Sequence, residues 1–242
     1  MTPYARRGVH GQTVETLARR VLSGEIPEGA TLDLVALQGE LDVSLTALRE
    51  SLKVLAAKGI VDARQKRGTF VRARADWNLL DADVLRWQFA VGTDSGTDPT
   101  LLRNLGEVRG IIEPAAARRT DADLDALEAA LTAMGEQEGG AAHAVEADLA
   151  FHRALLAATH NELLERMEMV IESGLARRDE IVHSSPHGEN PVPSHRAVLD
   201  AVREQDADAA ERAMRALLDQ AVRDLDRVHG TAPAADGEAG PR

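Results

Sequence analysis

The sequence predicts a mainly α-helical protein in two parts: three helices with a small β-hairpin, followed by an all-α bundle. Hydrophobic residues make up 44% of the 242 residues but aromatic residues only 2%, so the core must consist largely of Ala, Leu and Val. Such a core favours packed helices over an aromatic-rich β-sandwich. After Pro99 the apolar residues recur at helical spacing nearly throughout, whereas IVDAR and TFVRA have the character of two short strands.

The composition also excludes several classes of protein. The absence of cysteine excludes disulfide scaffolds, thiolate metal sites and cysteine nucleophiles. No apolar run approaches about 18 residues, and the N-terminus lacks the apolar segment of a signal peptide, so we expect a cytoplasmic protein with no membrane partner. The sequence contains no P-loop, nucleophile elbow, dinucleotide-binding glycine motif or HExxH zinc motif.

Charge is distributed unevenly along the chain, whose formal net charge is −12. Residues 1–75 carry 12 Lys and Arg against 8 Asp and Glu, whereas the remainder carries 16 against 32. A basic head on an acidic body indicates that only the head approaches a polyanion. Chance variation of the surface charge is the alternative.

The basic head, residues 1–75, has the pattern of a winged helix–turn–helix domain. Helical periodicity covers residues 12–22 and 33–41, and Ser44 is placed to cap a helix over residues 45–57. The segment QKRG then joins two short strands in a tight turn.

Two polar features of this head are suited to DNA. The third helix has an apolar side and, opposite to it, a polar stripe of Thr46, Arg49, Glu50 and Lys53. A recognition helix in a major groove needs such a stripe. The hairpin tip Lys66-Arg67-Gly68 is basic and small, which suits phosphates or a minor groove. A solvated amphipathic helix would show the same stripe, but its combination with the basic tip favours DNA binding.

The rest of the chain is interpreted as a linker over residues 76–98, a helical bundle over 99–229 and a disordered tail over 230–242. The linker combines WNLLDADVLRW with the flexible stretch GTDSGTDP. The loop HSSPHGENPVPS interrupts the bundle. The bundle periodicity predicts helices at residues 100–118, 121–134, 142–159, 161–182, 194–204 and 206–228.

Two of these helices carry polar residues in the middle of an apolar face. Asp148 and His152 lie one turn apart among leucines, and His195 shares its face with Val198 and Leu199. Because an unpaired buried charge is costly, buried charges are paired or bind metal. One Asp and two His provide the O and N donors of a divalent-metal site. A buried Asp–His hydrogen bond beside a separate core histidine is the alternative that the spacing leaves open.

Two further residues are candidates for a ligand pocket. Arg109 lies on the shoulder of the apolar face of its helix, where a guanidinium could clamp a carboxylate with two hydrogen bonds. A salt bridge from Arg109 to Glu113 is the alternative. Outside the triad, His183, just before the loop, is the histidine best placed to reach such a pocket.

The ordered motifs resemble one family of transcription regulators over nearly the whole of residues 12–225. The segment LDLVALQGELDVSLTALRESLKVLAAKGIVDARQKRGTFV resembles the winged helix of GntR-family regulators. The segments EVRGIIEPAAA, DLAFH and SHRAVLDAVREQDADAAERAM resemble the FCD ligand domain of the FadR subfamily. Within that subfamily, WNLLDADVLRW followed by EVRGIIEPA is most similar to the galactonate-repressor type.

The resemblance implies a homodimeric repressor whose heads bind a pseudo-palindromic DNA operator. Its helical domains would bind a small carboxylate beside a divalent metal ion (Zn, Ni or Mn), with Arg109 facing this effector, and we add His183 from its position before the loop. The implied metal ligands are Asp148, His152 and His195. The residues implied to contact DNA are Thr46, Arg49, Lys66, Arg67 and Gly68. We add Ser44 and Lys53, which belong to the same surface.

The sequence departs from the family pattern at three positions. Leu217 stands where many FCD domains have a further histidine ligand, so three protein ligands remain, as in the galactonate type. Leu45 and Val35 stand where the family often has arginine. We therefore expect a different operator, since each lost bidentate base contact forfeits about 1–3 kcal/mol of discrimination.

These observations predict a metabolite-responsive repressor of sugar-acid catabolism genes, which galactonate or a related aldonate releases from its operator. The sugar acid would fill the open metal positions while Arg109 holds its carboxylate. Lactate or another hydroxycarboxylate is the second choice of effector. A metal-dependent sugar-acid enzyme is a remote alternative, because catalysis would leave the basic head unexplained.

Overall fold

The structure is a computed structural model that describes residues 8–95, 99–120, 124–136, 140–183 and 190–229. The chain divides into two units, Met1–Asp98 and Pro99–Arg242. The first contains helices and one hairpin and the second, where it is described, is built from helices, which confirms the predicted fold class. The predicted disordered tail, residues 230–242, lies outside the described residues.

In the N-terminal unit, both helices of the helix–turn–helix are capped by side chains at their N-terminal ends. The Asp33 carboxylate accepts hydrogen bonds from the amides of Val35 and Ala36, and Ser44 Oγ accepts one from the Ala47 amide at 3.1 Å. These caps satisfy amides that the first helical turn leaves without partners, and the predicted N-cap at Ser44 is confirmed. The elements of this unit are α1 Val9–Leu22, α2 Leu34–Leu41, α3 Leu45–Ala57, β1 Val61–Arg64, β2 Gly68–Val71 and α4 Ala82–Ser95.

The strands β1 and β2 form the predicted antiparallel wing, with Val61 opposite Val71 and Arg64 opposite Gly68. Lys66 and Gly68 have positive φ angles of 70° and 80°. Such left-handed residues let a hairpin reverse direction within a few residues. The tip therefore projects from the head on a short, tightly turned loop.

Much of the segment predicted as a linker, residues 76–98, is part of the head. It contains α4, and Trp77, Val84 and Trp87 are buried in the same apolar core as α1 and α3. Two indole rings and an aliphatic face gain free energy from such burial. Residues 77–87 therefore belong to the head rather than to a linker.

The backbone approaches itself closely where this segment meets the end of α3. Gly59 has a φ of 75°, and a Cβ at this position would lie 2.7 Å from the carbonyl oxygen of Asp76. The Asn78 amide donates a hydrogen bond to the Lys58 carbonyl at 3.0 Å. Only glycine combines this conformation with this separation.

An ion-pair network joins α4 to α1 and α3. Lys58 Nζ lies 2.7 Å from Asp81 Oδ1 and 2.8 Å from Asp83 Oδ2, and these side chains are about one-tenth exposed. Arg86 bridges Asp83 to Glu15 of α1, with N–O distances of 3.1 and 2.8 Å. Burial alone would lower the pKa of Lys58, but its hydrogen bonds to the two carboxylates outweigh burial and raise the pKa.

The second unit consists of seven helices in its described part, where the sequence predicts six. The helix predicted over residues 161–182 is two helices, α8 and α9, that meet at Met167. There the amide of Met167 bonds the carbonyl of Leu164, three residues back, which interrupts the α-helical ladder. The seven helices are α5 Pro99–Arg119, α6 Asp125–Gly135, α7 Gly140–Ala157, α8 Glu162–Arg166, α9 Glu168–His183, α10 Val192–Arg203 and α11 Ala207–His229.

A proline within α5 is compensated by a contact from α11. Pro114 has no amide hydrogen, so the carbonyl of Gly110 loses its helical partner. Arg215 Nη1 lies 3.4 Å from this carbonyl oxygen and donates to it. The side chain of one helix thus completes the backbone bonding of the other.

Aliphatic side chains from α6, α7, α10 and α11 form the main core of the bundle. Its largest fully buried members include Phe151, Leu155, Leu199 and Met214. Along the described ranges, no helix is both long enough and apolar enough to cross a membrane.

We expect Lys58→Ala to lower the free energy of unfolding of the head by about 2–3 kcal/mol, because two buried carboxylates lose a charged hydrogen-bond donor. Urea unfolding followed by tryptophan fluorescence measures this change, since both tryptophans lie in the head. Lys53→Ala is the control: it removes an exposed pair with Glu50 and should cost about 0.5 kcal/mol or less. Equal effects of the two substitutions would contradict the assignment.

Candidate metal centre and DNA-binding surface

The predicted metal triad comes together between α7 and α10. Asp148, His152 and His195 are at most 4% exposed, and one ligand atom from each lies within 4.8 Å of the other two. His195 Nε2 is 3.0 Å from Asp148 Oδ1, and His152 Nε2 is 3.7 Å from Asp148 Oδ2. The one-turn spacing on α7 places two donors on one face, and the first turn of α10 supplies the third.

The hydrogen bonds of both imidazole rings determine which nitrogen faces the centre. His195 Nδ1 lies 2.8 Å from the Pro191 carbonyl oxygen, which only accepts, so this nitrogen carries the proton. His152 Nδ1 lies 2.8 Å from Glu113 Oε2 and donates to it. Burial lowers the pKa of His152 in spite of the opposing charge of Glu113, so the ring is neutral at neutral pH. Both Nε2 atoms therefore lie on the side of Asp148.

This arrangement fits a cation. Among the residues that the structure describes, His195 Nε2 has no hydrogen-bond partner, although it lies 3.0 Å from a carboxylate oxygen. Two lone pairs at this distance repel each other unless a cation joins them, which is either a proton on the imidazole or a metal ion. Metal-binding histidines have their other ring N–H held by a carboxylate or carbonyl, as both rings do here. One carboxylate and two imidazoles suit Zn, Ni or Mn.

Glu113 supports this centre, although the sequence indicated it only as an alternative partner of Arg109. It is fully buried and accepts from Arg109 Nε at 2.6 Å, Arg109 Nη2 at 3.3 Å and His152. Burial alone would raise the pKa of Glu113, but the charge of Arg109 and the hydrogen bonds from His152 and Arg109 outweigh it and lower the pKa to about 2. The available signal was the four-residue spacing from Arg109 to Glu113 beside an apolar face.

Arg109 borders both the metal centre and a small cavity between α5 and α11. Its Nη2 lies 2.9 Å from His152 Nε2. The cavity has a volume of about 40 Å³ and is otherwise lined by Leu102, Leu105, Gly106, Leu218, Ala221 and Val222. The salt bridge to Glu113 is observed, and contact of Arg109 with an effector stays a prediction.

Two other positions complete the comparison with the expected pocket. His183 is the last residue of α9, and its side chain lies outside the described part of the chain. Leu217, at the position of the further histidine in many FCD domains, is 4% exposed and packs in the bundle core. An apolar side chain there leaves the described donor set at three.

The candidate DNA-binding surface of the head lies on α3. Leu48, Leu52 and Leu55 are buried on one face, while the polar stripe of Thr46, Arg49, Glu50 and Lys53 is exposed. Lys53 Nζ pairs with Glu50 at 2.7 Å. The N-terminal part of the stripe therefore consists of Thr46 and Arg49. Val35, where arginine is frequent in the family, is 79% exposed on α2 and offers only methyl groups.

The wing presents its basic tip in a fixed arrangement. The guanidinium of Arg67 stacks 3.6 Å from the centre of the Phe70 ring and donates to the Gly29 carbonyl at 3.1 Å. Cation–π stacking and the hydrogen bond both restrict this side chain. Lys66 and Gly68 are exposed beside it. These contacts hold Arg67 in place at the tip.

A winged helix–turn–helix followed by a helical bundle is the architecture of a class of DNA-binding transcription regulators. Two family models match this chain: bacterial regulatory proteins of the gntR family over residues 10–71, and the FCD domain over residues 104–220. The chain belongs to the GntR family and carries an FCD domain. This confirms the resemblance seen in the sequence and makes the protein a regulator rather than an enzyme.

Several curated proteins are similar to this chain. The galactonate operon transcriptional repressor of Escherichia coli (strain K12) is 33% identical over 223 residues, which cover 89% of this chain and 96% of that protein. The HTH-type transcriptional regulator LutR of Bacillus subtilis (strain 168) is 31% identical over 82% of this chain and 92% of that protein. A putative L-lactate dehydrogenase operon regulatory protein of Escherichia coli (strain K12) is 31% identical over 74% and 71%, respectively.

A solved structure supports the fold. The structure of Lar, which controls the expression of the Listeria monocytogenes agr system, matches with a TM-score of 0.63 at 16% identity. The match covers 93% of this chain and 99% of that chain. At this identity the likeness shows the fold alone.

We expect Glu113→Gln to lower the free energy of unfolding of the helical unit by about 3–5 kcal/mol, because the buried Arg109 loses its charged partner. Far-UV circular dichroism during chemical unfolding follows the helices, and tryptophan fluorescence separates the head from them. Glu107→Gln, an exposed neutralisation on the same helix, should change it by less than about 0.5 kcal/mol. A variant as stable as wild type would contradict the buried pair.

We expect Arg49→Ala to weaken binding to DNA sites selected by the wild-type protein at least about fivefold, because a base or phosphate contact is lost from α3. Fluorescence anisotropy at several fixed salt concentrations measures this affinity. Arg19→Ala, which removes an exposed arginine of α1, is the matched control. An unchanged affinity for the selected sites would contradict the assignment of α3 as the recognition helix.

Proposed function

We propose that the protein is a metabolite-responsive repressor of sugar-acid catabolism genes, released from its operator when an aldonate binds beside a divalent metal ion. The observation that carries this proposal is the buried Asp148–His152–His195 centre with Arg109 beside it. The 33% identity to a galactonate operon transcriptional repressor supports an aldonate such as galactonate as the effector.

The charges of the centre favour an anionic effector. Asp148 and Glu113 contribute two negative charges and Arg109 one positive charge, and histidines that ligate a metal ion are neutral. A divalent metal ion would change the balance from −1 to +1, which a single carboxylate neutralises. Because unbalanced buried charge is costly, a monocarboxylate is the ligand that this centre favours once the metal is bound.

A metal with three protein ligands retains open coordination positions, where it can polarise and bind oxygen donors. The carboxylate and 2-hydroxyl of an aldonate are such donors. Arg109 would hold the carboxylate through its guanidinium, and His183 at the end of α9 is proposed to face the same ligand. The metal is proposed as Zn, Ni or Mn.

On the DNA side we propose a homodimer that places two heads on a pseudo-palindromic operator, as helix–turn–helix dimers do. The stripe residues Thr46, Arg49 and Lys53 would face the major groove, with Ser44 at the start of α3 near the backbone. The tip of the wing, Lys66-Arg67-Gly68, would contact phosphates or the minor groove. For release, the effector must bind the DNA-incompetent arrangement of the dimer more tightly than the competent one.

Lactate or another hydroxycarboxylate is the second candidate effector. The observation that favours it is the 31% identity to a putative L-lactate dehydrogenase operon regulatory protein. The apolar lining of the cavity beside Arg109 also suits a methyl group better than a chain of hydroxyls. Titration of the protein with a panel of aldonates and short hydroxy acids, with and without chelator, distinguishes the two.

We expect His152→Ala to abolish stoichiometric metal binding and the effector response, because it removes one of three ligands. Metal content after purification and release from DNA by the aldonate panel are the two measurements. His160→Asn is the matched control, since His160 is exposed on the loop after α7 and has a φ of 52°, which asparagine tolerates. If His152→Ala retains its metal content and its effector response, the proposed metal centre is contradicted.

A further inference from the structure

Two glycines, Gly106 and Gly110, lie in the interior of α5. Neither has a positive φ, and a Cβ on either would meet no described heavy atom within 4 Å beyond its chain neighbours and the backbone of α5 itself. Neither backbone conformation nor crowding therefore requires glycine at these positions. Because glycine weakens a helix interior relative to alanine, each glycine has a cost that local geometry does not explain.

Gly106 differs from Gly110 in what it borders. Gly106 lines the cavity of about 40 Å³ between α5 and α11, whereas Gly110 is not among the described residues that line it. Leu102 and Arg109, four residues before and three residues after Gly106, line the same cavity. Such spacings place residues on one side of a helix. A side chain at position 106 would therefore project into the cavity, and glycine leaves this space open.

The cavity suits a small apolar group. Arg109, which is 3% exposed, is the only residue with a polar side chain among the described lining residues. A buried water needs about two to four polar partners, so this cavity is a poor site for water. One molecule of liquid water occupies about 30 Å³, so a volume of about 40 Å³ accommodates a methyl or ethyl group but not a whole sugar acid.

We propose that Gly106 keeps this cavity open for the carbon substituent that a 2-hydroxy acid bears next to its hydroxyl group, and thereby determines which acids the protein senses. The inference rests on the proposed function, in which the metal holds the carboxylate and the 2-hydroxyl while Arg109 holds the carboxylate. Because Arg109 also lines the cavity, the carbon chain of the effector starts beside this space. The methyl group of lactate and C3 of an aldonate are both such substituents.

The decisive comparison is Gly106→Ala against Gly110→Ala in the full-length protein. Both changes add one methyl group to the interior of α5 and should raise the urea midpoint of the helical unit, so a difference between them in effector response does not come from helix stability. Release from DNA sites selected by the wild-type protein is measured, with Zn²⁺ present, for glycolate, lactate, 2-hydroxybutyrate and galactonate. Glycolate has no carbon substituent and is the internal reference.

We expect Gly106→Ala to raise the half-maximal concentration of each substituted acid that acts on the wild type by about tenfold or more, because the space for a methyl group is lost. The value for glycolate should stay the same, and Gly110→Ala should leave all of these values unchanged. The metal content of both variants should match the wild type, since neither glycine belongs to the ligand triad.

A second measurement uses the wild-type protein and does not depend on any variant. Protons on the substituent of the bound acid should show nuclear Overhauser effects to the methyl groups of Leu102 and Leu218, which line the cavity from α5 and α11. Leu163 of α8, which is 74% exposed and is not among the lining residues, should show none.

A loss of response confined to Gly106→Ala and to the substituted acids supports the role of Gly106. If the wild type responds to a substituted acid but the two glycine variants respond alike, or the Overhauser effects to the cavity are absent, the role of Gly106 is overturned and the proposed function stands. If no substituted acid releases the wild type from DNA in the presence of metal, the proposed function and this inference fail together.

Discussion

The pairing of buried charges is the constraint on which the helical unit depends. Five ionisable side chains from three helices lie within an aliphatic core with exposures of 4% or less: Arg109, Glu113, Asp148, His152 and His195. Desolvating any one of them alone would cost several kcal/mol, so each must meet a partner of suitable charge or hydrogen bonding. This requirement fixes how α5, α7 and α10 are placed relative to one another more narrowly than packing of Leu and Ala does, because aliphatic contacts tolerate small shifts that hydrogen bonds do not.

The head follows the same principle with different residues. Lys58, at the end of α3, is held by two carboxylates that precede and begin α4, and Arg86 of α4 reaches back to α1. In both units, charged side chains therefore determine which helices pack together, while apolar side chains supply most of the free energy of burial. The wing adds a smaller example, in which Phe70 and the Gly29 carbonyl hold Arg67 at the surface.

The sequence predicted the elements with strong local signals and missed those that depend on distant partners. Helical periodicity, the Ser44 cap and the tight wing turn are encoded within a few residues, and they agree with the structure. The triad could be predicted because a charge at the centre of an apolar face is anomalous wherever that face packs. Glu113 was harder to assign, since its contact with His152 joins α5 to α7 and has no signature in either segment. The short stretch around Trp77 and Trp87 was interpreted as a linker because its partners, α1 and α3, lie far away along the chain.

The packing of α4 into the head has a consequence for the recombination of domains among such regulators. The family model for the DNA-binding portion ends at residue 71, but the apolar core of the head extends to Trp87. A recombination event at the end of the wing would replace α4 by the helix of another protein. Lys58 would then lack its carboxylate partners Asp81 and Asp83, and the core of the head would lack Trp77 and Trp87. The inheritable module is therefore longer than the motif, and natural or engineered hybrids that acquire a new sensor should retain the head together with its own α4.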